Sequence, residues 1–444
     1  MHELIAPDLL TVAAQRWPRR VALRAGTDQW SFADLNYAAT EIAGRVRAGS
    51  RVAFRAAMNV ASVATIWGVP RGGGVAVPID PALDAPAAAA LADSLGATLG
   101  WPPPVGSDDV YPEPTPQRPV VIAATSGTGG TPRGVVLTAG NVEAAASASQ
   151  IHLGTRESDV WLLAMPLHHV GGLAILWRAA HDGSQVVLNQ GFEAAAVRAA
   201  LDDGITWVSF VPTMLRRLLA APGGPWPSLR GALIGGAHAA TELIEAAGAA
   251  GVPALPTYGM TETTAQACTV RPGNAAAAAG TVGHPLPGVE VTIDASPGVP
   301  GVISIAGPTV SPGYVDEPPR GGPFVTSDVG YFDPSGRLVV LGRNDDVVMS
   351  GGEKVHPGQL ERALLAQPGV LEAVVFGLPD DEWGERVVAV VAGDDLAGDD
   401  LKAILARSFP RHAVPKVIRV VSELPRLSNG KADRAAVRRS AASW

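Results

Sequence analysis

Short apolar runs rich in Val and Ile alternate with Ala-rich stretches of helical spacing over the first two thirds of the chain. They are "RVAF" (51–54), "GVAVPI" (74–79), "VVIAA" (120–124), "VVL" (186–188) and "WVSFV" (207–211). Brief β-branched runs bounded by turns read as buried strands, so the alternation predicts α/β architecture, a large N-terminal domain of layered sheets and helices. From about residue 290 the texture changes to "VEVTI", "GVISIAG" and "GYFDPSGRLVVLGR". Alternating residues on either side of the turn "DPSG" (333–336) predict antiparallel strands in a small β-barrel-like part. Beyond Arg343, "HPGQLERALLAQPGV" predicts a helix with Pro near its start and Leu360, Ala363 and Leu364 on one face. Strands "EAVVFG" and "RVVAVVAG", a helix at 399–408 and the strand "KVIRVV" follow. Roughly a hundred residues suffice for an independent domain, so the expected division is 1–343 and a small α+β domain, 344–444.

At 444 residues the chain exceeds the size at which one core stops growing, which also favours two or more domains. The segment 101–119 holds seven Pro residues and reads as an extended connector. A formal charge of −8 with no basic block argues against nucleic-acid or anionic-membrane partners. The single Cys268 can form no internal disulfide and fits a reducing cytoplasm. The first twenty residues lack the order of a secretory signal, and no uncharged apolar run reaches the roughly 18 residues of a membrane span, so a cytoplasmic protein is expected.

Between strands 120–124 and 134–138 lies "TSGTGGTPRG" (125–134), rich in flexible backbone N–H groups and hydroxyls, a composition suited to wrapping an anion. A Walker A loop is excluded, because Thr131-Pro132-Arg133 stands where Lys-Ser/Thr should open a helix. A Rossmann fingerprint is excluded as well. The adjacent His168 and His169 in "MPLHHVGGL" (165–173) suggest metal, but neighbours on a strand point to opposite faces, and no H-x-H or H-E-x-x-H spacing exists.

Three further stretches give the loop a context: "YGMTE" (258–262), "TSDVGYFDPSGRLVVLGRNDD" (326–346) and "LPRLSNGKADR" (424–434). In order and approximate spacing the chain resembles the adenylate-forming superfamily, from "WSFADL" (30–35) to the final helix. The resemblance implies a ligase that uses ATP and Mg²⁺ to join a carboxylic acid to AMP and then passes the acyl group to coenzyme A. It also implies that Thr125, Ser126, Gly127, Thr128, Gly129 and Gly130 cradle the β- and γ-phosphates. Here Gly129 replaces the usual Thr, and Arg133 replaces the usual Lys while keeping its charge.

By the same resemblance Gly235, Gly236 and Ala237 meet the adenine, together with Tyr258 and Gly259. Thr261 contacts the α-phosphate, and Glu262 holds the metal, whose preference for oxygen suits a carboxylate. Asp328 and Arg343 take the ribose hydroxyls, and Asp345 is the hinge of a mobile C-terminal domain. Gly351 and Gly352, in "SGGEKVHP" (350–357), line the path of the pantetheine arm. Lys431 bridges the reacting carboxylate and the α-phosphate, where a flexible ammonium can follow developing charge. His169 sits at the acyl pocket, and His168 replaces a residue that is more often aromatic.

The stretches "MPLHHVGGLAILWRAA" (165–180), "SFVPTMLRRLLA" (209–220) and "PDDEWGERVVAV" (379–390) resemble those of o-succinylbenzoate:CoA ligases of menaquinone synthesis. Such an acid carries a second carboxylate that is not activated, and Arg216, Arg217 and His168 are candidate donors to it. Another aryl- or acyl-CoA ligase, or an adenylation enzyme loading a carrier protein, stays open as an alternative, as does a homodimer. A non-catalytic nucleotide-binding regulator fits less well, because Thr261, Glu262, Asp328 and Lys431 are all retained.

Overall fold

The computed structural model describes residues 8–100, 115–125, 132–220, 223–296, 298–393, 396–427 and 430–441. The Val-rich runs form two large sheets. The first has nine strands, and six of them are parallel neighbours: Ala254–Tyr258, Gly231–Ile234, Trp207–Phe210, Val160–Leu163, Gln185–Leu188 and Val21–Ala25. The second has six strands, in the order Gly313–Tyr314, Arg133–Thr138, Pro119–Thr125, Val75–Ile79, Arg51–Arg55, Thr98–Leu99. Parallel sheets need cover on both faces, which explains why their strands read as continuous apolar runs. Trp161 and Trp207, both fully buried, stack at 5.4 Å between centroids on adjacent strands and anchor the first core.

The barrel-like part expected over 290–343 is a four-stranded antiparallel sheet, Glu290–Ile293, Gly301–Ala306, Phe324–Phe332 and Leu338–Arg343. Its turn falls at 333–336, where Gly336 donates its amide to the Asp333 carbonyl at 2.9 Å. C-terminal to Arg343, a five-stranded sheet carries helices Pro357–Leu365 and Gly398–Ser408. Leu360 and Leu364 are buried there, as their spacing predicts, in a core built only from residues beyond 347. We refer to this part as the small lobe. Among the described residues, no helix is long and apolar enough to cross a membrane.

Candidate active site

In parallel α/β sheets, ligands bind in the crevice outside the carboxyl ends of the strands. Four adjacent parallel strands end here, and three of them deliver candidate residues from sequence regions far apart. Gly231–Ile234 runs into Gly235, Gly236 and Ala237; Ala254–Tyr258 runs into Gly259, Thr261 and Glu262. Trp207–Phe210 leads to Val211 and Thr213, and Val160–Leu163 leads to His168 and His169. The phosphate loop is expected at the end of Pro119–Thr125, but Ser126, Gly127, Thr128, Gly129 and Gly130 lie outside the described residues. Thr125 is within them and donates its hydroxyl to the Arg133 carbonyl at 3.2 Å.

On the expected ribose side, the Tyr258 hydroxyl donates to Asp328 Oδ2 at 2.7 Å. Burial pushes the Asp328 carboxyl up, opposed by that hydrogen bond and by Arg343. Asp328 and Arg343 are direct partners across the hairpin. The Arg343 guanidinium is turned onto Asp345, with Nε donating to Oδ1 at 2.8 Å, so the proposed ribose contact and the proposed hinge residue form one ion pair.

Glu262 is placed by an arrangement that the sequence did not disclose. Tyr314 donates its hydroxyl to Glu262 Oε1 at 2.8 Å. Arg133 lies over the Tyr314 ring, 3.4 Å from its centroid, and pairs with Glu317 at 2.6 Å. Arg133 is therefore committed to Glu317 and Tyr314 in this structure, and it reaches Glu262 through the tyrosine. A half-buried carboxylate fits a magnesium ion that arrives on a nucleotide, since Mg²⁺ is usually held by one or two carboxylates plus phosphate oxygens. Among the described residues, no cluster of three or more metal-ligating side chains offers a resident cage instead.

Lys431 comes from the small lobe and enters the cleft. Its Cε lies 2.6 Å, and its Nζ 3.1 Å, from where a Cβ on Gly236 would stand. Gly236 has φ +80, a backbone conformation that favours glycine, and a side chain there would displace the lysine stem. Burial lowers the Lys431 pKa. His168 and His169 do not lie on a strand as expected: the strand ends at Leu163, and the pair occupies a turn before helix Val170–Asp182. Their rings lie side by side, 4.3 Å between centroids, so the alternation argument does not apply to them. His168 Nε2 approaches Asp80 Oδ2 at 3.6 Å.

Burial, with His168 and Lys431 nearby, brings the His169 pKa down to about 3, so the ring is neutral at working pH. Below 6.5 the unfolded chain binds a proton at this position that the folded chain refuses, so stability is lost as pH falls from 6.5 towards 3. His169→Asn is expected to make that decline shallower by about 1.4 kcal/mol per pH unit. Urea unfolding of both proteins between pH 4.5 and 6.5 checks this, and parallel slopes would contradict it.

Not every candidate joins the site. Gly351 and Gly352 occupy an exposed turn of the small lobe, where the Gly351 amide donates to the Trp383 carbonyl at 2.9 Å. Arg217 is exposed, and Arg216 is half-buried with Glu372 and Glu242 as its acidic neighbours. Tyr314, Glu317, Asp80 and Thr213 belong to the site's surroundings and were not singled out from the sequence. "SPGY" (311–314) offered a turn followed by a tyrosine, a weak signal.

Known proteins resemble this chain in sequence and in fold. The AMP-binding enzyme family matches residues 10–101 and 97–315, and the AMP-binding enzyme C-terminal domain matches 359–431. A 2-succinylbenzoate–CoA ligase of Bacillus mycoides (strain KBAB4) is 37% identical over 338 residues, covering 73% of this chain and 70% of its own. The o-succinylbenzoate CoA synthetase (MenE) of Bacillus subtilis, in complex with the acyl-adenylate intermediate OSB-AMP, overlays with TM-score 0.87 at 28% identity, over 97% of this chain and 98% of that one. Its double mutant bound to the product analogue OSB-NCoA overlays less closely, with TM-score 0.72 at 29% identity over 98% of both chains. The chain belongs to the AMP-binding enzyme family.

Proposed function

We propose that this protein is an ATP-dependent, AMP-forming CoA ligase whose acid is 2-succinylbenzoate. The observation that carries the reading is the seat of Lys431, beside Gly236 and His169 at the carboxyl ends of the parallel strands. An organic carboxylate oxygen attacks the α-phosphorus of ATP, the bond to the bridging oxygen breaks, and pyrophosphate leaves. Charge builds on the oxygens around that phosphorus, and a desolvated ammonium placed there in advance stabilises it more than water does. Thr261 supplies a hydroxyl on the same side, while Asp328 and Tyr258 hold the nucleoside. Glu262 would hold magnesium together with the nucleotide phosphates, and the ion would supply neutralising charge there.

In the second step the CoA thiolate attacks the acyl carbonyl and AMP leaves. We place the change between steps at Asp345, with 1–343 and 344–444 as the two moving bodies. Two features support an arrangement suited to the first step. Lys431 lies in the cleft, and the overlay is closer with the adenylate-bound relative than with the product-analogue form. The relatives' names support the choice of acid.

The test is release of AMP and pyrophosphate by purified protein with ATP, Mg²⁺, CoA and a panel of acids. With 2-succinylbenzoate, kcat/KM is expected to exceed that with benzoate by about 10³-fold or more, because a site built for a second carboxylate leaves polar groups unpaired around an acid that lacks it. Equal or better turnover of another acid would replace the substrate, transfer to a carrier protein alone would replace the acceptor, and absence of AMP with every acid would overturn the reading.

A further inference from the structure

The hairpin that carries Lys431 is held from both lobes at one atom. Within the small lobe, Arg426 forms a fork on Glu372, Nη1 to Oε1 at 3.2 Å and Nη2 to Oε2 at 2.7 Å. The same Nη1 donates to the Gly430 carbonyl at 3.2 Å. The Leu427 amide donates to the Lys431 carbonyl at 2.9 Å, which closes the turn one residue from that fork. From the large lobe, Thr213 in the first turn of helix Pro212–Leu219 donates its hydroxyl to the same Gly430 carbonyl at 3.0 Å. Val211 and Met214 flank this contact, 3.4 Å and 3.2 Å from where a Cβ on Gly430 would stand. Val211 also lies 3.4 Å from the corresponding point on Gly236, against which the lysine stem rests.

We infer that Thr213 is a positioning residue for acyl-AMP formation: its hydroxyl catches the Gly430 carbonyl and fixes the Lys431 hairpin in the cleft. The inference rests on the reading of Lys431 as the group that serves the first step. The two donors on the carbonyl are not equivalent. Arg426 and Glu372 belong to the same lobe as Gly430, so their bonds travel with the hairpin wherever that lobe goes. The Thr213 bond forms only when the small lobe is docked as seen here. Removing the hydroxyl therefore costs the docked arrangement one hydrogen bond and leaves the hairpin's own shape intact.

Single-turnover acyl-AMP formation and thioester formation from supplied acyl-AMP and CoA are measured for Thr213→Val, Thr213→Ser and Lys431→Ala. Thr213→Val is expected to slow acyl-AMP formation by about 3- to 10-fold, the worth of one hydrogen bond, mainly in kcat. Thioester formation stays unchanged, and Thr213→Ser, which keeps the donor, restores the first step. A silent Thr213→Val, or equal slowing of both steps, would overturn the latch while leaving the ligase reading standing. Full acyl-AMP formation by Lys431→Ala, or none by the unaltered protein, would remove the reading beneath it as well.

Discussion

Lys431→Ala is expected to slow acyl-AMP formation by about 10²- to 10³-fold while conversion of supplied acyl-AMP and CoA to the thioester continues. The magnitude follows from place as well as charge. An exposed ammonium would be worth little beside a polyphosphate already surrounded by water, but this one is half-buried and its pKa is lowered by desolvation. Its stem lies along Gly236, so the cation is held where charge develops and need not be gathered at the moment of reaction. Truncation to Ala leaves the hairpin closed by Leu427 and by the Arg426–Glu372 pair, and thermal unfolding should change little. The asymmetry between steps comes from the proposed swing about Asp345, which withdraws the lysine before the thiol attacks. Rapid-quench measurement of each half-reaction checks this, and equal loss in both would refute the role.

The fold was legible wherever one local period dominated. The Val and Ile runs became strands within a residue or two of their expected bounds, and Leu360 and Leu364 face the small-lobe core. Gly235, Gly236, Ala237, Gly259, Thr261 and Glu262, which the resemblance named, directly follow the carboxyl ends of two parallel strands, and such a strand end fixes where the next residues stand. His168 and His169 were misread as strand because the apolar stretch continues past Leu163. Pro166, which lacks a backbone donor, stands where a ladder would have to continue. Tyr314 and Thr213 were not legible, since their partners Glu262 and Gly430 lie 52 and 217 residues away, and only the packing of separate elements brings them together. Arg133 shows the same limit: its charge suggested phosphate, but a tyrosine face and Glu317, not nearby in sequence, decide where it lies. Gly351 and Gly352 are a different case: they lie in an exposed turn of the small lobe, and their proposed role belongs to the arrangement after the proposed swing about Asp345.

Gly259→Ala is expected to cut acyl-AMP formation by about a hundredfold with the sheets intact, and here both half-reactions should fall together. A Cβ on Gly259 would collide with the Ala265 carbonyl oxygen and stand 2.8 Å from Ala265 C and Gln266 Cα. These are backbone atoms, so no rotamer change relieves the overlap. The far side of the turn cannot yield easily. Gln266 is locked in a buried network with Ser149 at 2.9 Å, Arg178 at 2.6 Å and Thr269 at 2.8 Å. Thr264 and Ala265 already occupy positive φ, 52 and 86, strained positions costing about 1–3 kcal/mol each, and Thr264 is tied to the Thr309 carbonyl at 2.7 Å. Relief must come from 259–262, the half-buried side that carries Thr261 and Glu262, and a shift of about 1 Å there breaks the Tyr314 bond to Glu262 and misplaces both side chains. The accompanying loss of stability is about 1–3 kcal/mol, small enough to keep the protein folded. Gly248→Ala, in a helix with nothing within 4 Å of the new methyl, is the control and should change neither rate. Because this turn belongs to the proposed acyl-adenylate site in both steps, Gly259→Ala is expected to slow thioester formation from supplied acyl-AMP as well, unlike Lys431→Ala. Full activity in Gly259→Ala would mean that the turn accommodates the methyl by a movement the anchors on Gln266 and Thr264 do not permit.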